Sequence, residues 1–197
     1  MNVRVALLPS EITWAAQGVA VVIDVLRATS VITQALHAGA AEVIVCGEIE
    51  EAFARARQTS PPPLLCGERA CRPIDGFDLG NSPSEYTDAR ISGKTLVMTT
   101  TNGTRAVLAA AGFERIDAAC FNNLSAVVER LIAEPAVTII CAGTDGERTD
   151  EDMLLAGAIL QSLLTVSPTA AMSPIAPRSE SETATTSSIS LGPSEQT

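Results

Sequence analysis

Short runs of β-branched and other apolar residues alternate along this chain with segments of helical periodicity. The predicted strands are 3–8, 19–25, 42–46, 64–66, 95–99, 117–121 and 137–142. The predicted helices are 29–38, 48–58, 104–111, 124–134 and 150–164. This alternation is typical of a mostly parallel or mixed sheet with helices on both faces, a three-layer α/β/α fold. Ligand sites in such folds lie beyond the carboxyl ends of the strands.

The composition changes near Ser167 and divides the chain into two parts. Residues 1–166 contain the apolar runs and are predicted to form one α/β domain. Residues 167–197 are rich in Ser, Thr, Pro, Ala and Glu. Such a segment buries too little apolar surface to offset its loss of conformational entropy, so we expect it to be disordered.

The net charge limits the kinds of molecule that this protein is expected to bind. The formal net charge of −10 argues against a general affinity for nucleic acid or anionic membranes. It leaves room for a small anionic substrate, because a few local cations can reverse the field in a pocket. No signal-peptide pattern or membrane-length apolar run occurs, so we expect a cytoplasmic protein with reduced thiols.

Polar residues follow two of the predicted strands. Asp24 and Arg27 come after the second strand, and the segment 99–104 reads Thr-Thr-Thr-Asn-Gly-Thr after the fifth. These groups could bind a cation and an anionic ester at helix starts. Alternatively, Asp24 and Arg27 form an ion pair, and Thr104 is an ordinary helix cap. We expect Asp24, Arg27, Thr99 and Asn102 to lie at one edge of the sheet.

Acidic residues occur in two further loops. Glu68 and Asp78 lie in a segment whose glycines and prolines predict a fixed path, and Glu151 and Asp152 lie near the start of the last helix. Carboxylates of this kind can bind a hard divalent ion. The alternatives are a solvated loop and, for Asp152 with Thr149, a helix capping box. No motif for a covalent nucleophile or for a histidine-rich metal site is present.

Several blocks of the sequence match one enzyme family. The chain resembles the 2-phosphosulfolactate phosphatases over most of the length before residue 164. That resemblance implies a three-layer α/β/α fold and magnesium-dependent hydrolysis of a phosphate ester to sulfolactate, a step of archaeal coenzyme M biosynthesis. The matching blocks are 22–30, 67–69, 76–83, 85–86, 99–105, 121–123, 141–143, 151–152 and 156–158.

The patterns and the resemblance together predict three sets of site residues. Direct attack by water is expected, with Mg²⁺ polarising the phosphoryl oxygens. The predicted catalytic residues are Asp24, Arg27 and Arg69. The predicted substrate-binding residues are Thr99, Thr100, Thr101, Asn102, Gly103, Thr104, Asn81 and Ser82. The predicted metal ligands are Asp24, Glu68, Asp78, Glu151 and Asp152.

The chain departs from the family pattern at two places. Cys71 stands where a small residue such as glycine is expected, and the Ser/Thr/Pro-rich segment stands where the family continues with further helix and a closing segment. A second hypothesis is therefore a catalytically impaired protein that binds a phosphorylated metabolite. A homo-oligomer is compatible with either hypothesis.

Overall fold

The structure is a computed structural model that describes residues 1–166, 171–172 and 189–191. Its strands form two separate sheets. The strands are β1 (Asn2–Ala6), β2 (Val19–Ile23), β3 (Glu42–Val45), β4 (Leu64–Gly67), β5 (Thr95–Thr99), β6 (Arg115–Ala119), β7 (Ala136–Cys141), β8 (Ala171–Met172) and β9 (Ile189–Leu191). One sheet has the order β6-β2-β7-β1-β8 and the other β4-β5-β3-β9.

Helices connect most of the strands. They are α1 (Ala28–His37), α2 (Ile49–Gln58), α3 (Asp88–Ile91), α4 (Gly103–Ala109), α5 (Leu124–Leu131) and α6 (Asp150–Val166). Short 3₁₀ segments lie at Pro9–Glu11, Pro83–Glu85 and Phe121–Asn123. None of the described helices combines the length and the apolar character needed to cross a membrane.

The five-stranded sheet is covered on both faces. Val21 and Ile139 point to one face and pack in the same cluster as Leu155 and Ile159 of α6. Val22 and Ile140 point to the other face and share a cluster with residues of α1 and α4. The alternation of side chains along each strand explains why neighbouring residues enter different clusters. The predicted three-layer α/β/α arrangement is confirmed.

The second sheet is a correction to the expected single sheet. Val43 and Val45 of β3 share a core cluster with α1 and α4, so these two helices lie between the sheets. Ile44 of β3 and Val97 of β5 face the other way, toward Ala52 of α2. Within the described residues β9 is the only antiparallel strand, and it pairs with β3.

The two last strands lie inside the segment that was predicted to be disordered. β8 pairs with β1 in parallel, and β9 pairs with β3. Those five residues are in paired strands. The rest of the segment lies outside the described residues, and its disorder stays a prediction.

The predicted elements are all present, and most of them have shifted ends. The strand predicted at 19–25 ends at Ile23, because the amide of Val25 donates to the side chain of Asp152 instead of to a neighbouring strand. The strand predicted at 117–121 runs from Arg115 to Ala119. The helix α3 was not predicted, because its four residues make only about one turn and show no repeating pattern of apolar residues.

We expect Ile159→Ala to lower the free energy of unfolding by about 2–5 kcal/mol, since deletion of a buried aliphatic side chain leaves a cavity. Ile159 is fully buried in the α6 face of the core. Leu154 of the same helix is 67% exposed and is the matched control. Leu154→Ala should change stability by no more than about 0.5 kcal/mol in urea unfolding. Equal losses in the two variants would contradict the placement of α6.

Candidate functional site

Asp24 occupies the turn between β2 and α1. Its side chain is 7% exposed and accepts a hydrogen bond from the amide of Ala28, the first residue of α1. The turn is closed by Thr29, whose hydroxyl accepts from the Asp24 amide at 3.0 Å and contacts the Asp24 and Ala119 carbonyl oxygens at 2.8 and 2.6 Å. Thr29 therefore stabilises this turn from within the first turn of α1. It is not the N-cap of that helix, which is Arg27.

Three other carboxylates surround Asp24. The pKa of Asp24 is raised to about 7, mainly by burial and in addition by the negative charges of Asp152, Glu68 and Glu151. The amide of Ala28 opposes the shift. Several acidic side chains therefore act on the same buried carboxylate.

Asp152 joins α6 to two strand ends. Its Oδ1 accepts from the amide of Val25 at 2.9 Å, and its Oδ2 accepts from the amide of Gly143 at 3.1 Å. Val25 follows β2 and Gly143 follows β7, so one side chain fixes both loops. Burial raises the pKa of Asp152, while the two amide bonds lower it.

Glu68 makes a similar connection after β4. Its Oε1 accepts from the amide of Thr101 at 2.7 Å. Its Oε2 accepts from the amide of Cys71 at 2.6 Å and from the hydroxyl of Thr101 at 3.1 Å. Both oxygens are therefore engaged by the protein itself, in a side chain that is 8% exposed.

The threonines after β5 are engaged in hydrogen bonds within the protein. The amide of Thr100 donates to the Thr104 hydroxyl at 2.8 Å, and the amide of Thr104 donates to the Thr100 hydroxyl at 3.1 Å. Thr99 contacts the carbonyl of Gly47 at 3.3 Å. These bonds shape the turn before α4. Thr104 lies inside α4, whose N-cap is Asn102, so the alternative of Thr104 as the helix cap is wrong. The predicted contacts of the threonines with substrate stay predictions.

Arg69 connects the end of β5 to the loop after β3. Its guanidinium donates to the Thr99 hydroxyl at 3.0 Å and to the carbonyls of Thr100 and Gly47 at 3.3 Å. Gly47 follows β3, so Arg69 ties that loop to the end of β5. These hydrogen bonds give Arg69 a structural role. Its predicted catalytic role stays a prediction.

The two βα turns meet at their first helical residues. A Cβ atom on Gly103 would lie 2.5 Å from Oδ2 of Asp24 and closer still to the Cβ of Ala28. Ala28 and Gly103 occupy equivalent places in the two similar turns, each one residue before the bracing threonine. The turn that contains Asp24 thus contacts the turn that contains Asn102, but the two preceding strands belong to different sheets and not to the one sheet that was expected.

Asn102 connects this junction to a third loop. Its Oδ1 accepts from the amide of Asp145 at 3.2 Å. Asp145 and Gly146 have positive φ angles of 52° and 83°, and they form a tight turn closed by reciprocal bonds between Thr144 and Glu147. The acidic loop before α6 therefore reaches the same region as Asp24.

Asp78 lies away from this carboxylate cluster. Its Oδ2 accepts from the amide of Leu65 at 2.9 Å, near the start of β4, whereas Glu68 follows the end of that strand. Asn81 is buried, and its Oδ1 has no hydrogen-bond partner among the residues that the structure describes. The Ser82 hydroxyl contacts that of Ser84 at 3.0 Å. Contact of Asn81 and Ser82 with substrate stays a prediction.

Arg27 is exposed at the start of α1. Within residues 1–166 it makes no salt bridge with Asp24 or with any other acidic residue, so the ion-pair alternative is not observed. Its guanidinium is thus available to an anion that approaches the strand ends.

The carboxylates do not form a preassembled metal cage. No group of three or more His, Cys, Asp or Glu side chains among the described residues has an arrangement able to hold a metal ion. The oxygens of Glu68 and Asp152 are engaged by backbone amides, and Asp78 is elsewhere. Asp24 and Glu151 are the predicted ligands whose oxygens are least engaged within that part of the chain.

Several backbone groups of the site were not among the predicted residues. The carbonyl of Gly47 accepts from Arg69 and Thr99, and the amides of Val25 and Gly143 donate to Asp152. Gly47 and Gly143 lie just after predicted strand ends, and Val25 is the last residue of the strand predicted at 19–25. Position near a strand end is the only indication of these residues in the sequence, because a backbone amide or carbonyl is the same in every residue type.

Three of the buried cysteines are poor nucleophiles. Cys46, Cys66, Cys120 and Cys141 are buried free thiols, and Cys71 is exposed. Burial raises the pKa of Cys46, Cys66 and Cys141 to about 12, which suppresses the reactive thiolate. This agrees with the absence of a nucleophile motif.

Comparison with known proteins connects this geometry to one family. The family model described as 2-phosphosulpholactate phosphatase matches residues 6–187. A Thermotoga petrophila protein named "Probable 2-phosphosulfolactate phosphatase" is 53% identical over 144 residues, which are 73% of this chain and 62% of the relative.

Other curated relatives have the same name and similar coverage. The Thermotoga maritima protein is also 53% identical over 73% of this chain and 62% of its own length. The protein of Caldanaerobacter subterraneus is 48% identical over 73% of this chain and 60% of its own length. The chain thus spans about 60% of the length of these relatives.

Gly103→Ala should lower the free energy of unfolding by about 1–3 kcal/mol, because the added methyl has no room beside Asp24 and Ala28. Gly157→Ala is the matched control, since a Cβ there meets nothing within 4 Å. That control should stabilise α6 by up to about 1 kcal/mol. Urea unfolding measures both, and a stable Gly103→Ala would contradict the close contact.

Asp24→Asn should stabilise the protein above pH 7. The pKa of Asp24 is about 7 when folded against an ordinary value of 3.8, so the folded state holds the proton more tightly. The free energy of unfolding therefore falls as pH rises from about 4 to about 7 and then levels off. Removing this titration should add up to about 4 kcal/mol at pH 8 and much less at pH 4.

Urea unfolding at the two pH values measures this difference. The control Asp75→Asn changes an exposed loop carboxylate and should have the same small effect at both. An Asp24→Asn effect that is equal at pH 4 and pH 8 would contradict the buried, charge-repelled position of Asp24.

Proposed function

The chain belongs to the 2-phosphosulpholactate phosphatase family, and from that premise we propose that it hydrolyses the phosphate ester of 2-phosphosulfolactate or a similar small phosphorylated acid. The observation that carries the proposal is the buried carboxylate of Asp24, crowded by acidic side chains at the carboxyl ends of the strands. Such a group needs a cation to be ionised at neutral pH without a large cost.

Mg²⁺ fits the carboxylates that are available. It is usually held by one or two carboxylates together with waters and substrate phosphate, so a complete protein cage is not required. Asp24 and Glu151 would hold it, since the oxygens of Glu68 and Asp152 are engaged by backbone amides. When bound, the ion would polarise the phosphoryl oxygens toward attack by water.

The residues around Asp24 have distinct tasks in this proposal. Arg27, exposed and unpaired within residues 1–166, would bind an oxyanion of the substrate. Arg69 would keep the ends of β3 and β5 in place through its bonds to Gly47 and Thr99. Asp24 would carry a proton in the free protein near neutral pH and lose it when a divalent cation binds.

The setting of the reaction follows from the same proposal. Sulfolactate as a product would serve coenzyme M biosynthesis in organisms that have that route. Four buried free thiols accord with a reducing compartment such as the cytoplasm. Because the chain spans about 60% of its relatives, both the substrate and the activity are to be tested on this chain itself.

Phosphate release should require a divalent cation and should be lost in Asp24→Asn and strongly reduced in Arg27→Ala. Removal of one charge-assisted contact by Arg27→Ala should cost about 1.5–3 kcal/mol of transition-state stabilisation. The measurement is phosphate release from a panel of phosphorylated hydroxy acids and sulfonates, with and without Mg²⁺. Arg57→Ala, in the last turn of α2, is the control.

A second readout does not need turnover. Mg²⁺ should raise the melting temperature of the parent chain more at pH 8 than at pH 6, and it should not do so in Asp24→Asn. Full activity after exhaustive chelation would overturn the cation requirement. Binding of the substrates without turnover would instead support the impaired metabolite-binding protein.

A further inference from the structure

Two residues beside the site have an unusual backbone. Ala70 and Cys71 have φ angles of 52° and 59°, in the left-handed region that favours glycine. Arg69 and Arg72 exchange two backbone hydrogen bonds of 3.0 Å across them. Two consecutive positive φ angles with this pairing define a tight hairpin turn in which glycine or asparagine is usual. We call the segment from Arg69 to Arg72 the strained turn.

The strained turn is held by side chains from outside it. The amide of Cys71 donates to Oε2 of Glu68 at 2.6 Å, and the amide of Ala70 donates to the hydroxyl of Thr101 at 2.9 Å. Thr101 is in turn bound to Glu68 through its own amide and hydroxyl. One carboxylate therefore links the strained turn to the threonine turn that leads into α4.

We propose that Glu68 is a positioning residue that holds the strained turn against Thr101 at the edge of the site. Its negative charge makes the bonds to the two amides stronger than neutral ones, which offsets the cost of the left-handed residues. Cys71 then has a left-handed conformation because Glu68 binds its amide, and no small residue is needed there.

The expected effect of Glu68 on turnover rests on the proposed function, whereas its structural role does not. Glu68 acts through the turns and not as a ligand of the cation, because its oxygens are already engaged. Loss of the carboxylate should therefore lower turnover by misplacing Arg69 and the threonine turn. The concentration of Mg²⁺ that gives half-maximal activity should stay nearly the same.

Amide hydrogen exchange tests the linkage without any need for activity. In Glu68→Ala, exchange at the amides of Cys71 and Thr101 should accelerate by about 10-fold to 100-fold, as expected for lost charge-assisted bonds. Glu68→Gln retains an acceptor and should give a smaller change. Glu114→Gln is the control, since Glu114 contacts the amide of Gly18 at 3.4 Å beside the start of β2, far along the chain from these turns.

A second substitution tests the strain directly. Cys71→Gly allows the left-handed backbone without cost, so it should recover part of the activity that Glu68→Ala loses. In the single variant Cys71→Gly, the Thr101 amide should remain protected. The double variant, Glu68→Ala with Cys71→Gly, and the single variant Cys71→Gly keep the test decisive if Glu68→Ala alone folds poorly.

Two results would overturn the proposal. One is unchanged exchange at both amides in Glu68→Ala. The other is a rise of about tenfold or more in the half-activating Mg²⁺ concentration of Glu68→Gln, with turnover restored by excess Mg²⁺, which would identify a cation ligand. If the parent chain has no turnover, the proposed function fails, and exchange still decides the role of Glu68.

Discussion

The carboxylate of Asp152 is the contact on which the carboxyl edge of the five-stranded sheet depends. It accepts amide hydrogen bonds from the loops after β2 and β7, and it comes from the first turn of α6. A buried carboxylate is tolerated only when such donors satisfy it. Removing it would leave two inward-facing amides without partners, so α6 and both loops have to assemble together.

The same principle separates the carboxylates of this region into two kinds. Glu68 and Asp152 have both oxygens engaged by protein donors, and each links loops that are distant in sequence. Asp24 has the amide of Ala28 as a donor and lies in the field of the others. Its unfavourable ionisation is a local loss of stability, and perturbed carboxylates of this kind are frequent at functional sites.

The meeting of two separate sheets explains why the site residues come from so many loops. Helices α1 and α4 lie between the sheets, and their first residues, Ala28 and Gly103, touch. Only a glycine leaves room for the carboxylate of Asp24 at that point. The turns after β2 and β5 consequently form one surface, although no hydrogen bond of a common sheet connects the two strands.

The sequence by itself determined the order of the strands and helices, because hydrophobic periodicity is a local property. It also identified Asp24, Asn102 and Glu151 as neighbours of strand ends, and the family resemblance was confirmed. Division into two sheets depended on contacts between distant residues, which no local pattern records. Tertiary structure alone decided that Glu68 and Asp152 bind amides and that Asp78 lies apart, since a carboxylate looks the same in sequence whatever donor it meets.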